Sequence, residues 1–469
     1  MKILLIAPAS GRWKEIGKSR VFNGKTFRFS LLSLLSVAAE TPPDIDIKII
    51  DEQVDDIPWE EEFDLVGITC MTALANRAYE IAGEFRKRGI PVVLGGTHPS
   101  FCPDEALDHA NGVVVGDAEG LWKKVIEDAK QGRVKGIYKN ESPVELKGLK
   151  HPPRELLKLK NYGTIQSAQA TRGCINGCDF CSIAAFHKQT MRFRPVKEVY
   201  DEVSAIPDNF FIFVDDNLTA DRDYARELFK ALTTLKKKWI TQSTLTITED
   251  EEFVRLAAEA GCIGLFVGLE TFKSENLDSV NKTFNKVEQY RESIKLLHSY
   301  GIGVEAGIVF GFDNDTPDVF KNTLKTLDKL GVDVIQVSIF TPLPGTPRFK
   351  TMRNRIIDYN WSNYDFHNVV FTPEKMTMDE LKAGHDWVTN RFYSPFRIMK
   401  RLFKHMLRPG GLKTVYYVAA LNLAYLGRVL NWDIKGYDPS KIRKKYNPLR
   451  IFHLKIFAIR STGDYLNGH

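Results

Sequence analysis

Residues 171–181 read TRGCINGCDFC, with Cys174, Cys178 and Cys181 at C-x3-C-x2-C spacing behind an Arg-Gly step. With 6 Cys in 469 residues, composition alone produces that pattern roughly one time in a thousand. Grouped thiolates hold a soft metal ion or an iron-sulfur cluster. A structural zinc site wants four closed ligands. His187, downstream of Cys181, could complete such a set, but the glycines between the thiols would then have no purpose. Gly173 and Gly177 let the backbone fold tightly and turn its N–H groups toward a sulfide-rich anion. Three cysteines on a four-iron cluster leave one iron with an open position, where a small molecule can bind and react.

Outward from this loop, apolar segments recur with helical segments between them. TIQSAQAT, NFFIFVDD, TQSTLTIT, GLFVGLE, GVEAGIVFGF and VIQVSIFTP begin at residues 164, 209, 241, 264, 303 and 334. Six strand–helix repeats predict a partial (β/α)6 barrel of the TIM type, with its chemistry at the carboxyl ends of the strands. The cysteine loop follows the first strand, as that geometry requires. Polar residues stand at the other strand ends: Asp215, Asp216 and Asn217 after the second, Thr246 and Thr248 after the third, Glu270 and Thr271 after the fourth, Asp313, Asn314 and Asp315 after the fifth. Asp and Asn also favour helix N-caps, so each position has a structural reading beside the functional one. The prolines and glycine of TPLPGTP, residues 341–347, fix a rigid loop over the barrel mouth.

Toward the N-terminus the apolar runs KILLIAPA, DIKIIDE, LVGITC, PVVLGGTH and GVVVGDA begin at residues 2, 46, 65, 91 and 112. Between the third and fourth, Leu74, Ala78, Ile81 and Phe85 recur at helical spacing. A five-stranded parallel Rossmann-like sheet, covered on both faces, is expected, with ligands bound off the strands' carboxyl ends. Thr69 and Met71, then Gly95, Gly96 and Thr97, then Gly116, Asp117 and Glu119 fall at those ends. Cys70 and Cys262 read as small buried hydrophobes.

The cysteine motif, with Phe180 just before its last thiol, resembles the radical S-adenosylmethionine (SAM) superfamily. The resemblance implies a 4Fe-4S cluster on Cys174, Cys178 and Cys181, SAM chelated at the open iron, and reductive cleavage to a 5′-deoxyadenosyl radical. It also implies SAM contacts from Phe180, Asp215, Asp216, Asn217, Thr246, Glu270 and Asp313, with adenine against Gly311. The N-terminal sheet resembles a cobalamin-binding domain, which carries Thr69, Met71, Gly95, Gly96, Thr97, Gly116 and Glu119 onto the cobalamin site. One departure is that APASGRWKEIG, after the first strand, lacks the cobalt-ligating histidine of other cobalamin modules; cobalt is therefore expected without a protein imidazole. His98, in the loop after the glycine pair, reads as a loop histidine.

WSNYDFHNVVF and MTMDEL, residues 361–371 and 376–381, resemble the C-terminal extension of a cobalamin-type subgroup that includes hopanoid-lipid methylases. The resemblance implies methyl transfer to an unactivated carbon of a small molecule or lipid, fed by an electron donor such as a flavodoxin or ferredoxin. Cobalamin-dependent cyclisation or rearrangement without methyl transfer is the alternative, as is a cobalamin domain that binds nothing. The expected organisation is a cobalamin domain over 1–133, a linker over 134–163, the radical SAM core over 164–350 and a mainly helical basic extension over 351–469.

Charge divides the chain. Residues 391–460 hold 16 Lys and Arg against 2 Asp, although the whole chain carries only +6. Apolar Phe392, Phe396, Leu402, Phe403 and Met406 interleave with Lys400, Arg401 and Lys404, and 414–427 carries no charge. That stretch is too short to span a bilayer. Three readings follow: a buried core helix with a solvated face, attachment to an anionic membrane surface, or attraction of nucleic acid by charge alone, for which no RNA-reading module is visible. Free thiols and no secretory signal place the chain in the cytoplasm, with attachment to the inner membrane face as a further reading.

Overall fold

A computed structural model describes residues 1–9, 31–157 and 166–431. Two parallel six-stranded sheets organise them. The first comprises β1 (Lys2–Ala7), β2 (Asp46–Asp51), β3 (Leu65–Thr69), β4 (Val92–Gly95), β5 (Gly112–Val115) and β6 (Gly136–Lys139), in the order β2-β1-β3-β4-β5-β6. Successive side chains of β1 point to opposite faces, and both faces are buried: Ile3 and Leu5 join one apolar cluster, Leu4 and Ile6 the other. The helix Ala75–Lys87 covers one face with Ala78, Ile81 and Phe85. Strand order reverses between β1 and β3, which is where such sheets open a ligand crevice.

The sheet has one strand more than the five expected. β6 lies inside the stretch read as linker and pairs in parallel with β5 from Gly112↔Gly136 to Val115↔Lys139. Four residues with one buried side chain, Tyr138, make a short edge strand, and the Lys, Glu, Asn and Pro around it mask so brief an alternation. The expected linker end and core start, 158–165, lie outside the described residues, as does most of APASGRWKEIG.

The second sheet is the partial barrel, ordered β14-β13-β12-β11-β10-β7 and parallel throughout. Its strands are β7 (Ser167–Ala168), β10 (Phe210–Phe213), β11 (Lys238–Ser243), β12 (Cys262–Glu270), β13 (Gly303–Phe310) and β14 (Val334–Ile339). Between β7 and β10, β8 (Thr171–Gly173) and β9 (Met191–Phe193) form an antiparallel hairpin that frames the cysteine loop.

The third barrel strand lies upstream of its expected start. β11 begins at Lys238, and Leu245–Glu249 is a 3-10 turn. The lysines at 236–238 conceal the strand's start, and buried Leu245 and Ile247 on the turn mimic strand alternation. The first strand is likewise short, and Thr171, the last residue of its expected run, begins the hairpin instead. Cys70 and Cys262 are buried in the two domains, as expected.

Beyond the barrel, 353–363 holds two 3-10 turns, followed by helices Met378–Phe392, Pro395–Met406 and Gly411–Asn431. Thr377 and Glu380 form a capping box that starts the first. At Gly384 a Cβ would strike the Phe320 ring, so the glycine lets this helix lie close against the barrel helix Val319–Leu330. The last helix takes in the uncharged stretch, with Val418, Ala424 and Leu426 buried. No helix of the described residues is long and apolar enough to cross a membrane. The basic residues beyond 431 lie outside the described residues.

Candidate active site

The cysteine loop is shaped from inside and pinned from outside. Gly173 has φ +94°, and a Cβ there would collide with the Thr190 carbonyl beside β9, so only glycine fits. Asn281 Nδ2 donates to the Gly177 carbonyl at 2.8 Å, and the Asp179 N–H donates to Val280 O at 3.2 Å. Arg348, on the short helix Pro347–Thr351 after β14, completes the clamp. Its guanidinium donates to Asp179 Oδ2 at 2.6 Å and its N–H to Asp179 O at 3.1 Å. Cys181 N–H donates to Cys178 O, and Cys181 then opens the short helix Ser182–Phe186. Phe180 rests on Phe340, ring centroids 5.9 Å apart.

Burial at the loop opposes an anion, and nearby donors counter it. Asn217 Nδ2 donates to Cys174 Sγ at 3.8 Å. Burial pushes the Cys178 thiol up to about 12, while the buried Lys282 ammonium pulls it toward the thiolate. Burial also raises Cys181, again opposed by Lys282. Lys282 bonds Glu270 Oε1 at 2.5 Å. Glu270 ends β12 in a left-handed conformation, φ +63°, which turns its carboxylate back over Gly268, where a Cβ would meet it. A non-glycine residue held at positive φ carries strain, and such strain is common at functional sites.

Other strand-end residues divide. Asp216 Oδ2 accepts from Gly173 N–H at 2.9 Å and so supports the cysteine loop directly. Asp215 is fully buried and turned the other way, its oxygens accepting from the Ala170 and Thr171 N–H groups and from Thr171 Oγ1. Its expected SAM contact is replaced by a structural one, because the β7–β8 corner needs acceptors. Thr246 sits on the 3-10 turn, its hydroxyl on Thr244 Oγ1 at 2.6 Å. Asp313 pairs with Arg355 at 2.7 Å. Gly311 has φ +102°, and its bare face meets Leu381 and Phe371 of the C-terminal extension at 3.0 and 3.2 Å, not open space.

At the carboxyl edge of the first sheet, Gly96 has φ +100°, and a Cβ there would press on Cys70 O and Thr69 Oγ1. Its bareness thus serves the packing of two loops. Gly95 faces Val114 at ordinary distance, and Thr97 begins a short helix. Gly116, φ +86°, has nothing within 4 Å of its bare face, and Met71 is 62 % exposed. Glu119 points across to the other domain, where Arg172 Nη2 donates to its Oε1 at 2.6 Å. Asp117 receives Arg172 Nη1 at 3.1 Å and Arg192 Nη1 at 2.6 Å. Phe101, on the helix after β4, packs on Gly345 of the TPLPGTP loop. The carboxyl edge of the first sheet therefore faces the barrel mouth.

Two family models match the chain, the B12 binding domain over residues 34–126 and the radical SAM superfamily over 169–327. Bacteriochlorophyllide d C-8(2)-methyltransferase of Chlorobaculum tepidum is 30% identical over 367 residues, covering 71% of this chain and 79% of that protein. The chain belongs to the cobalamin-binding radical SAM family. Within it, hopanoid C-2 methylase of Rhodopseudomonas palustris is 26% identical over 78% of this chain and 72% of that one. The solved structure of the cobalamin-dependent SAM radical enzyme OxsB, with aqua-cobalamin and SAM bound, shares the fold at TM-score 0.63, 15% identity, over 96% of this chain and 75% of that one.

The cofactors of this radical SAM enzyme are a 4Fe-4S cluster, SAM and cobalamin, and the residues present fit them. Three thiols with an amide donor and an ammonium beside them suit an anionic cluster. The open space at Gly116 and the uncovered Met71 suit a large apolar ring laid on the sheet edge. His187 does not offer its Nδ1 as a fourth ligand, because that atom accepts from Arg192 at 3.1 Å; burial pushes the ring down to about 4 and so keeps it neutral.

Sequence reasoning missed Lys282, Asn281, Arg348 and the Arg192 bridge, since none belongs to a spaced motif. It also misread His98, which is fully buried beside Tyr79, with Trp361 donating to the neighbouring Glu105 at 2.7 Å. WSNYDFHNVVF thus binds the cobalamin domain through Trp361, while Tyr364 is buried with its hydroxyl on Asp358 O.

Proposed function

We propose that this enzyme places a methyl group on an unactivated carbon of a large, mainly apolar molecule, a lipid or a fused-ring compound of similar size. The chain is a C-methyltransferase of the radical SAM family. When bound, the cluster and SAM supply a hydrogen-abstracting radical, and cobalamin supplies the methyl group. The observation that carries the reading is the Arg172 bridge to Asp117 and Glu119, which ties the cobalamin-side loop to the strand that leads into Cys174. Two reactive centres that must act on one substrate carbon need fixed separation and orientation.

In this reading Cys174, Cys178 and Cys181 hold the cluster, and Asn217 and Lys282 offset its negative charge. Glu270 receives the amino or ribose groups of SAM, and Phe180 and Asp216 hold the loop that presents the open iron. Thr69, Met71, Gly95, Gly96, Thr97 and Gly116 form the cobalamin wall. The cobalamin domain ends with β6 near residue 140, and the extension from 351 closes the side of the barrel. A flavodoxin or ferredoxin supplies the electron. The relatives named above act on a bacteriochlorophyllide and a hopanoid, both large apolar frameworks. Mass spectrometry of apolar metabolites from cells with and without the intact gene tests the reading. A species one methylene heavier, present only with the intact protein, is expected; an unchanged profile in both would overturn it.

A further inference from the structure

The barrel floor, opposite the cysteines, carries a surface that methyl transfer does not use. The helix Pro395–Met406 buries Ile398 and His405 against the barrel. Its opposite face is also apolar: Phe396, Met399, Phe403 and Leu407, just past its end, are 76, 57, 59 and 72 % exposed. They recur at offsets of three, four and four and so form one stripe. Leu412 extends it beyond the turn.

Positive charge lies along one flank. Lys400 and Lys404 border the stripe, and Arg408, next to Leu407, leads into an open groove of about 350 Å³ lined by Arg291, Lys295, His298, Lys329 and Arg408. Arg408 pairs with buried Asp333 and Lys295 with Glu292. Arg291, Lys329, Lys400 and Lys404 have no acidic partner among the described residues. The surface stands at the amino ends of β13 and β14, where Asn422 donates to Asp333 O at 3.1 Å and Val418 meets Gly303.

We propose that this face docks on an anionic lipid bilayer, with the stripe in the acyl boundary and the groove cations on headgroup phosphates. An in-plane helix with one apolar side and a basic flank is the geometry of peripheral attachment. Free phosphate would leave the stripe in water. A second copy set face to face across a two-fold axis would bring unpaired cations against their own kind. Because the floor is opposite the mouth, attachment tethers the enzyme while the substrate opening faces away from the bilayer.

The test is co-sedimentation of the full-length, cofactor-loaded protein with phosphatidylcholine vesicles, with and without phosphatidylglycerol. Binding is expected only with phosphatidylglycerol, and it should weaken as salt rises. The exposed double substitution Phe396→Ser/Phe403→Ser should lower partitioning roughly tenfold or more, and Arg291→Glu/Lys329→Glu should lower it and flatten its salt dependence. SAM cleavage in solution should be unchanged in both. Failure of the unaltered protein to bind, or equal binding after both sets of substitutions, overturns the proposal. So does a dimer that dissolves on substituting Phe396 and Phe403, which would make the face a contact between copies. Methyl transfer would be untouched by any of these failures.

Discussion

Arg172 Nη2 lies 2.6 Å from Glu119 Oε1, a buried ion pair that spans two domains and begins two residues before the first cluster cysteine. Asp117 takes the other guanidinium nitrogen at 3.1 Å, so one arginine is held by both carboxylates of a single loop. Replacing Arg172 with Met leaves the Glu119 carboxylate without its partner, while Asp117 keeps Arg192, and should destabilise the protein by about 3 to 5 kcal/mol, read by thermal denaturation. Glu119→Gln is the milder probe. It should leave iron and cobalamin content near normal while lowering methyl transfer more than SAM cleavage, because it loosens the relation between the two halves. Equal loss of both activities would count against a positioning role.

Gly173→Ala tests the loop's shape apart from its ligands. The new Cβ has no room beside Thr190 O and the backbone is already at positive φ. Iron incorporation should fall to the level of Cys178→Ala, while Cys102→Ala should retain the cluster absorbance.

The Lys282–Glu270 pair is buried on both sides. Lys282→Met strands Glu270 and should cost about 3 to 5 kcal/mol. Glu270→Gln keeps the shape and removes the charge. If Glu270 receives SAM, this variant should weaken SAM binding measured by calorimetry on the cluster-loaded protein. Unaltered affinity would confine the pair to folding.

Asp215 gives a pH signature. Burial pushes its carboxyl up to about 7, above the ordinary value of 3.8. The folded state therefore prefers the protonated form. Its contribution to stability is complete below about pH 4 and declines as pH rises toward 7. Asp215→Asn should flatten that part of the stability profile in denaturant titrations; an unchanged slope would place the titration elsewhere.

Much of this architecture was legible in the sequence because it repeats. Continuous apolar strands with helices between them mark parallel sheets covered on both faces, and the three cysteines identify the barrel's first loop. Short and edge elements escaped: β6 buries only Tyr138, and β11 begins within a lysine run. Strand-end carboxylates were found by position, but position does not give direction. Asp215 and Asp216 are neighbours, yet one serves the β7–β8 corner and the other the cysteine loop. Cross-domain partners such as Glu119 and Arg172 lie far apart in the chain and carry no spacing that a linear reading can detect.

The most direct measurement of methyl transfer is product analysis. The protein, loaded anaerobically with cluster and cobalamin, is incubated with SAM, a low-potential reductant and an apolar extract of its source cells, and the nucleosides are separated by chromatography. Methyl transfer through both cofactors requires 5′-deoxyadenosine and S-adenosylhomocysteine to accumulate together. Accumulation of 5′-deoxyadenosine alone, with substrate consumed, would contradict it.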